Sequence, residues 1–129
     1  MTELRPDITS EADVRLLVDA FYAAINHDTL LAPVFNHVAR VDWARHLPIM
    51  YDFWSSILLG SARYHGRPFP KHIPLPIEAT HFERWLELFD ATVNELFQGS
   101  KAEEAKLRAL NIARMFEYRL RQRGPLNVI

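Results

Sequence analysis

The sequence DWARHLPIMYDFWSSILLG, residues 42–60, is the segment that most clearly indicates the fold. Its large apolar side chains recur three and four positions apart, which is the period of one buried face of an α-helix. Asp42 is a favourable residue before a helix and Gly60 a favourable one after it. Pro48 lacks an amide donor and restricts the residue before it, so we expect a kink or two short helices there. The predicted buried face carries Trp43, His46 or Leu47, Met50, Phe53, Trp54, Ile57 and Leu58.

The segment before residue 42 has the same helical period. Ser10 and Asp13 have the spacing of a capping box, and Asp28 and Thr29 are expected to end the helix that follows it. The buried face of this helix would carry Val14, Leu17, Val18, Phe21, Tyr22 and Ile25. A short helix is predicted next, with the apolar residues Leu31, Val34, Phe35 and Val38.

Two further helices are predicted after residue 78. The first begins at a capping box of Thr80 and Glu83 and ends at Gly99, and the last helix stops at Gly124 and Pro125. Strand-like alternation is missing from the sequence, so five or six helices of unequal length predict an all-α fold with crossed helices. We expect a single domain over residues 1–129, with its core at about 10–123. The apolar face of the first of these helices carries Phe82, Trp85, Leu86, Phe89, Val93, Leu96 and Phe97.

Composition excludes several classes of function. A net charge of -1 provides no broad basic surface, so neither a nucleic acid nor an anionic membrane is an expected partner. The chain has no cysteine, which excludes disulfides, iron–sulfur clusters, thiolate zinc sites and covalently attached c-type haem. We find neither a signal peptide nor an apolar run of about 20 residues, so a cytoplasmic location is expected.

Residues 61–79, SARYHGRPFPKHIPLPIEA, read as one long loop. Four prolines between positions 68 and 76 prevent a helix there, and His72 stands among them. Loops of this length in a small helical domain are generally functional or disordered. Because prolines and apolar residues would hold the loop in place, we expect function to lie near His72.

An imidazole at this position has several explanations. The six histidines include no HExxH pair, and the sequence has no phosphate-binding glycine loop and no GxSxG elbow. A zinc site would need histidines and carboxylates from separate helices. A fixed imidazole facing a core rich in Phe, Trp and Met would suit the axial position of haem iron. From the residues alone, a half-buried loop histidine remains the simpler interpretation.

Five segments occur in a family-specific order: FY at 21–22, PVFN at 33–36, the helix at 42–60, RYHGRPFPKHIPL at 63–75 and HFERWLELF at 81–89. Together they resemble the truncated haemoglobins, specifically the third group of that family, over about residues 12–120. The resemblance implies a two-over-two helical sandwich that encloses haem b.

The resemblance also implies roles for individual residues. His72 matches the proximal ligand of the haem iron, while Tyr22, His46 and Trp85 match the residues around the bound ligand on the distal side. From the residues alone, Tyr22 and Trp85 are equally explained by core packing and His46 by an exposed helix start. The further candidate haem contacts are Phe35, Met50, Phe53, Trp54, Tyr64 and Phe82.

The function implied by the resemblance is binding of dioxygen, nitric oxide and carbon monoxide. Strong distal hydrogen bonds would slow ligand release, which favours nitric oxide dioxygenase or peroxidase-like chemistry over oxygen delivery and requires an external reductase or reductant. Because Pro48 loosens the start of its helix, we expect His46 to act as a gate more than as a fixed donor. The alternatives are a haem-based gas sensor, a haem carrier, and a helical interaction domain without a cofactor.

Overall fold

The structure is a computed structural model that describes residues 4–64 and 78–127. This part of the chain contains four α-helices and a π-helical turn, and no strand, which confirms the predicted all-α fold. No helix in these ranges is long and apolar enough to cross a membrane. The assignment of residues 1–129 to one domain stays a prediction. The elements are α1 (Glu11–Asn26), the π-turn (Val34–Val38), α2 (Trp43–Leu59), α3 (Ala79–Leu96) and α4 (Ser100–Asn127).

The start and the buried face of α1 agree with the prediction. The Ser10 hydroxyl accepts a hydrogen bond from the Asp13 backbone N–H at 3.2 Å, and the Asp13 carboxylate accepts one from the Ser10 N–H. Reciprocal bonds of this kind satisfy donors that a helix start would otherwise leave unpaired. The six residues predicted for the buried face are all buried: Val14, Leu17, Val18, Phe21, Tyr22 and Ile25.

The core lies where α1, α2 and α3 meet. Phe21 of α1 packs edge-on against Phe89 of α3, with ring centroids 5.0 Å apart, and Trp54 of α2 stacks on the same Phe89 at 4.9 Å. Extensive backbone packing joins α1 to α2, α1 to α3, and α3 to α4, but within the described ranges it does not join α2 to α3. Helix α1 therefore packs closely on both α2 and α3, while α2 meets α3 through side chains such as the stacked rings of Trp54 and Phe89.

Several predicted helix boundaries are wrong. Helix α2 is continuous, so of the two alternatives predicted at Pro48 the division into two short helices is wrong; a proline removes a single backbone hydrogen bond from the helix. Helix α3 is capped by Glu78 with His81 in place of Thr80 with Glu83, because a glutamate carboxylate and the imidazole Nδ1 of His81 provide the same two acceptors.

The ends of α3 and α4 also differ from the prediction. Helix α3 ends at Leu96, where Phe97 turns to an extended conformation and buries its ring, so Gly99 is not its last cap. Helix α4 continues through Gly124 and Pro125 to Asn127. A proline in the last turn removes only one hydrogen bond from a long helix, which is insufficient to end it there.

Gly99 instead permits close approach of the segment before α1. The Asp7 carboxylate accepts hydrogen bonds from the backbone N–H groups of Lys101 at 3.0 Å and Ala102 at 2.9 Å, so it caps α4 from a distant part of the sequence. Burial opposes the charge of this carboxylate, but the backbone hydrogen bonds hold the pKa of Asp7 below its ordinary value. A Cβ atom on Gly99 would lie 2.5 Å from Asp7 Cγ.

Replacement of Gly99 by alanine should therefore destabilise the fold strongly. Alanine would be forced to a φ of +133° and would collide with Asp7, so we expect a loss of about 3 kcal/mol in urea-induced unfolding. Gly60→Ala is the matched control, because its φ is +69° and no atom lies within 4 Å of the added Cβ. It should cost only about 1 kcal/mol. Equal losses in the two variants would contradict the close approach of Asp7.

Candidate functional site

Three rings from α1 and α2 form a triangular cluster. The centroid of Tyr22 lies 5.3 Å from that of Trp43 and 5.3 Å from that of His46, and Trp43 and His46 are 5.7 Å apart. Tyr22 lies on the buried face of α1, and the other two rings share one face of α2 because they are three residues apart. Phe35 of the π-turn closes this cluster by stacking on Trp43 at 6.0 Å.

The polar centre of the cluster is the pair formed by Tyr22 and His46. Their Oη and Nε2 atoms are 3.4 Å apart, a long hydrogen bond. Burial raises the pKa of Tyr22 and lowers the pKa of His46, so both side chains are favoured in their neutral forms. When the Nε2 atom carries the imidazole hydrogen, it donates to the phenol oxygen, and the phenol hydrogen is then available to another acceptor.

Trp85 belongs to a second aromatic cluster. Its ring packs edge-on against Phe21 at 5.3 Å and stacks on Phe89 at 5.8 Å. Trp85 is only partly buried. Since Phe21 and Tyr22 are adjacent on α1, the two aromatic clusters meet at this pair, and the ring of Trp85 contacts Phe21.

The remaining predicted site residues occupy different environments. Trp54 is 3% exposed and is part of the core. Phe53 is partly exposed and packs edge-on against Trp54 and Tyr64, while Met50 and Phe82 are partly buried. His72 lies outside the described residues. A cofactor contact of any of these side chains stays a prediction.

A polar network holds Tyr64 at the end of the first described range. Its backbone N–H donates to the Ser56 hydroxyl at 3.0 Å, and burial raises the pKa of its phenol. The neighbouring Ser55 hydroxyl donates to Glu11 at 2.6 Å, and Glu11 also pairs with Arg63 at 3.3 Å. These bonds tie the residues after α2 to the first turn of α1.

Trp43 is the site residue that sequence reasoning missed. The helical period identified it only as a buried-face residue, although it lies one turn before His46 and its ring contacts three candidate side chains. A tryptophan three positions from a candidate histidine was the available signal, because residues at that spacing share a helix face.

The described residues fit a flat apolar group with a small polar ligand above it. Helices α2 and α3 each present partly buried apolar side chains. The neutral hydroxyl of Tyr22 supplies a donor on one side. Within the described ranges, no group of three or more His, Cys, Asp or Glu side chains could hold a metal ion. The partly buried residues are Met50, Phe53 and Ile57 of α2 and Phe82, Trp85 and Leu86 of α3.

The family model described as bacterial-like globin matches residues 6–118, so this helical chain is a small globin. The chain belongs to this family, as a truncated haemoglobin. The predicted family and the predicted truncated-globin fold are thereby confirmed. Membership implies that the protein binds haem and small gaseous ligands.

Two curated relatives and one solved structure give the extent of the similarity. The Group 3 truncated hemoglobin ctb of Campylobacter jejuni is 30% identical over 119 residues, which cover 89% of this chain and 94% of that protein. The Group 1 truncated hemoglobin GlbN of Nostoc sp. is 32% identical over 84 residues, or 64% and 69% of the two chains. The crystal structure of group III truncated hemoglobin from Campylobacter jejuni matches with a TM-score of 0.80 at 30% identity, and covers 94% of this chain and 98% of that one.

The lowered pKa of His46 has a consequence for stability. The unfolded chain binds a proton at this histidine more readily than the folded chain does. The neutral imidazole therefore contributes fully to the free energy of unfolding above about pH 6.5, and this contribution is lost as the pH falls. The free energy of unfolding should therefore fall more steeply from about pH 7.5 to about pH 5.5 in the wild type than in His46→Phe. Identical pH profiles in urea unfolding would show that the imidazole is not buried.

Proposed function

We propose that the protein binds haem b and, through it, dioxygen and other small gaseous ligands, for redox or detoxification chemistry rather than oxygen delivery. The observation that carries this proposal is the neutral Tyr22–His46 pair, 3.4 Å apart within a wall of aromatic rings. The b form of the cofactor follows from the lack of cysteine, since covalent c-type attachment needs thiols.

We propose two separate roles for these residues. His72 would ligate the iron, while Tyr22, His46 and Trp85 would surround the small ligand that the iron takes up. The haem supplies, when bound, an iron that takes up small ligands and exchanges electrons with them. The side chains that would hold its apolar faces and edge are Phe35, Met50, Phe53, Trp54, Tyr64 and Phe82, as the family resemblance suggests.

Tyr22 is suited to retain a ligand that carries partial negative charge. Its hydroxyl is buried and its pKa is raised by that burial, so the O–H stays protonated as a donor. A hydrogen bond to a charged acceptor is worth about 1–3 kcal/mol, which slows ligand escape by roughly five- to 150-fold. Slow release disfavours delivery and gives a second reactant time to enter.

Such a site would suit oxidation of nitric oxide to nitrate, or reduction of peroxide. Nitric oxide and dioxygen together with one electron give one nitrate ion, so turnover depends on a supply of electrons. We propose that an external reductase or a small reductant supplies them. Nitrate formation by protein exposed first to dioxygen and then to nitric oxide tests this reaction. Rapid dioxygen release without nitrate formation would favour delivery instead.

His72→Gly should abolish stable haem binding, because glycine removes the proposed iron ligand. We expect the Soret absorbance of the purified variant to be lost and to return when imidazole is added. His27→Gly is the control, since His27 is an exposed residue at the end of α1 where glycine is tolerated. Full haem content and an unchanged spectrum in His72→Gly would refute the assignment. A colourless wild-type protein that fails to take up added haem would favour a cofactor-free interaction domain.

Tyr22→Phe and His46→Ala separate ligand retention from ligand entry. The tyrosine change keeps the ring and removes one hydrogen bond, so dioxygen dissociation should become about tenfold faster. The histidine change should raise the carbon monoxide association rate and affect dioxygen release much less, if His46 is a gate. Flash photolysis measures both rates. If His46→Ala accelerates dioxygen release as much as Tyr22→Phe does, the histidine is a fixed donor.

A further inference from the structure

Trp43 is fixed through its polar atom as well as through its ring. The indole Nε1–H donates to Asn36 Oδ1 at 2.8 Å, and Asn36 Nδ2 donates in turn to Asn26 Oδ1 at 2.8 Å and to the Ala32 carbonyl at 3.0 Å. We call the pair Asn26 and Asn36 the asparagine bridge. It connects the last residue of α1, the π-turn and the first residue of α2.

The π-turn places Asn36 where it can reach Trp43. Its backbone closes with a hydrogen bond from the Ala39 N–H to the Val34 carbonyl at 2.8 Å, the five-residue spacing of a π-helix. Such single turns are rare and occur frequently at functional sites. Here the turn directs Phe35 onto the face of Trp43 and Asn36 to its indole N–H, so two consecutive residues fix one ring.

The start of α2 needs a restraint of this kind. Asp42 makes no side-chain capping bond, and Pro48 cannot donate a backbone hydrogen bond in the second turn. His46 lies between these two weak points. Its ring contacts Trp43 on one side and Tyr22 on another, both nearly edge-on, at interplanar angles of 80° and 82°. Without Trp43, the imidazole would lose one of the two rings that hold it.

We infer that Trp43, held by the asparagine bridge, is a positioning residue that keeps His46 against Tyr22 and so sets how often the distal side of the site is closed. The contact between His46 and Tyr22 is made by two protein side chains, so it can be measured whether or not haem is bound. Its effect on ligand entry rests on the proposed function, because entry is measured at the haem.

Three variants and a control test the inference. Asn36→Leu removes the acceptor and leaves Trp43 in place, whereas Trp43→Phe keeps an aromatic ring and removes the N–H. Asn36→Asp retains an acceptor oxygen for the indole but loses the amide donor to Asn26 and Ala32, so its effects should lie between those of the wild type and Asn36→Leu. Asn111→Leu, at an exposed position of α4, controls for the addition of a surface leucine. Asn36 is exposed, so we expect its variants to fold. They test the positioning role of Trp43 even if Trp43→Phe does not fold.

Two measurements are made on each purified protein. The first is the nuclear Overhauser effect between the ring protons of His46 and Tyr22, recorded on the carbon monoxide form or, if no haem is bound, on the chain as purified. The second is the carbon monoxide association rate. In Asn36→Leu and Trp43→Phe the Overhauser effect should weaken and association should become about two- to tenfold faster, the factor expected for the loss of one hydrogen bond. Asn111→Leu should change neither.

The outcomes separate this inference from the proposed function. An unchanged Overhauser effect in Asn36→Leu overturns the positioning role of Trp43, whatever the haem content. A weakened effect with an unchanged association rate overturns the role in ligand entry. Failure of the wild-type chain to bind haem overturns the proposed function, while the Overhauser comparison still decides whether Trp43 positions His46.

Discussion

The burial of two adjacent aromatic side chains, Phe21 and Tyr22, is the constraint on which the rest of the structure depends. Phe21 points to α3 and packs against Trp85 and Phe89, whereas Tyr22 points to α2 and packs against Trp43 and His46. Burial of a large aromatic side chain contributes about 1.5–3 kcal/mol. Neighbouring residues on a helix point about 100° apart, so this pair makes α1 hold one helix on each of two sides.

The hydroxyl of Tyr22 is buried in this arrangement and has only a long hydrogen bond to His46. A buried hydroxyl without a hydrogen bond costs about 1–3 kcal/mol, and the bond to His46 is long at 3.4 Å. A hydroxyl that the protein satisfies incompletely gains more from an added acceptor than one already engaged at a short distance. The same feature that costs folding free energy therefore prepares the site for a polar ligand.

Two polar tethers lie at the edges of the core. Asp28 accepts backbone hydrogen bonds from Leu30 and Leu31 and pairs with Arg84 of α3 at 2.7 Å. Burial opposes the carboxylate charge, but the hydrogen bond from Arg84 and the backbone donors hold the pKa of Asp28 below its ordinary value. At the other end, Glu11 holds Ser55 of α2 and Arg63. Both tethers fix α1 to a neighbour at positions outside the aromatic site.

The sequence by itself determined the helical class, the buried face of α1 and the capping box of Ser10 with Asp13. These features depend on residues within a few positions of one another, and a helix repeats with a fixed period. Motif order also identified the family and nominated Tyr22, His46 and Phe35, which the structure brings together in one cluster. Periodicity shows that a side chain is buried but not which partner buries it. Trp54, for example, was nominated by the resemblance as a haem contact, and the partner that buries it in the core is Phe89 of α3.

The tertiary structure alone decided the partners of Trp43 and the approach of Asp7 to Gly99. The asparagine bridge joins residues from three elements, and its geometry depends on a π-turn that no local residue preference predicts. Likewise, Tyr22 and His46 are separated by 24 positions, and their distance follows from how α1 and α2 pack. Which polar groups meet across two helices depends on the crossing of those helices, because side chains on each buried face are fixed in direction by their own backbone.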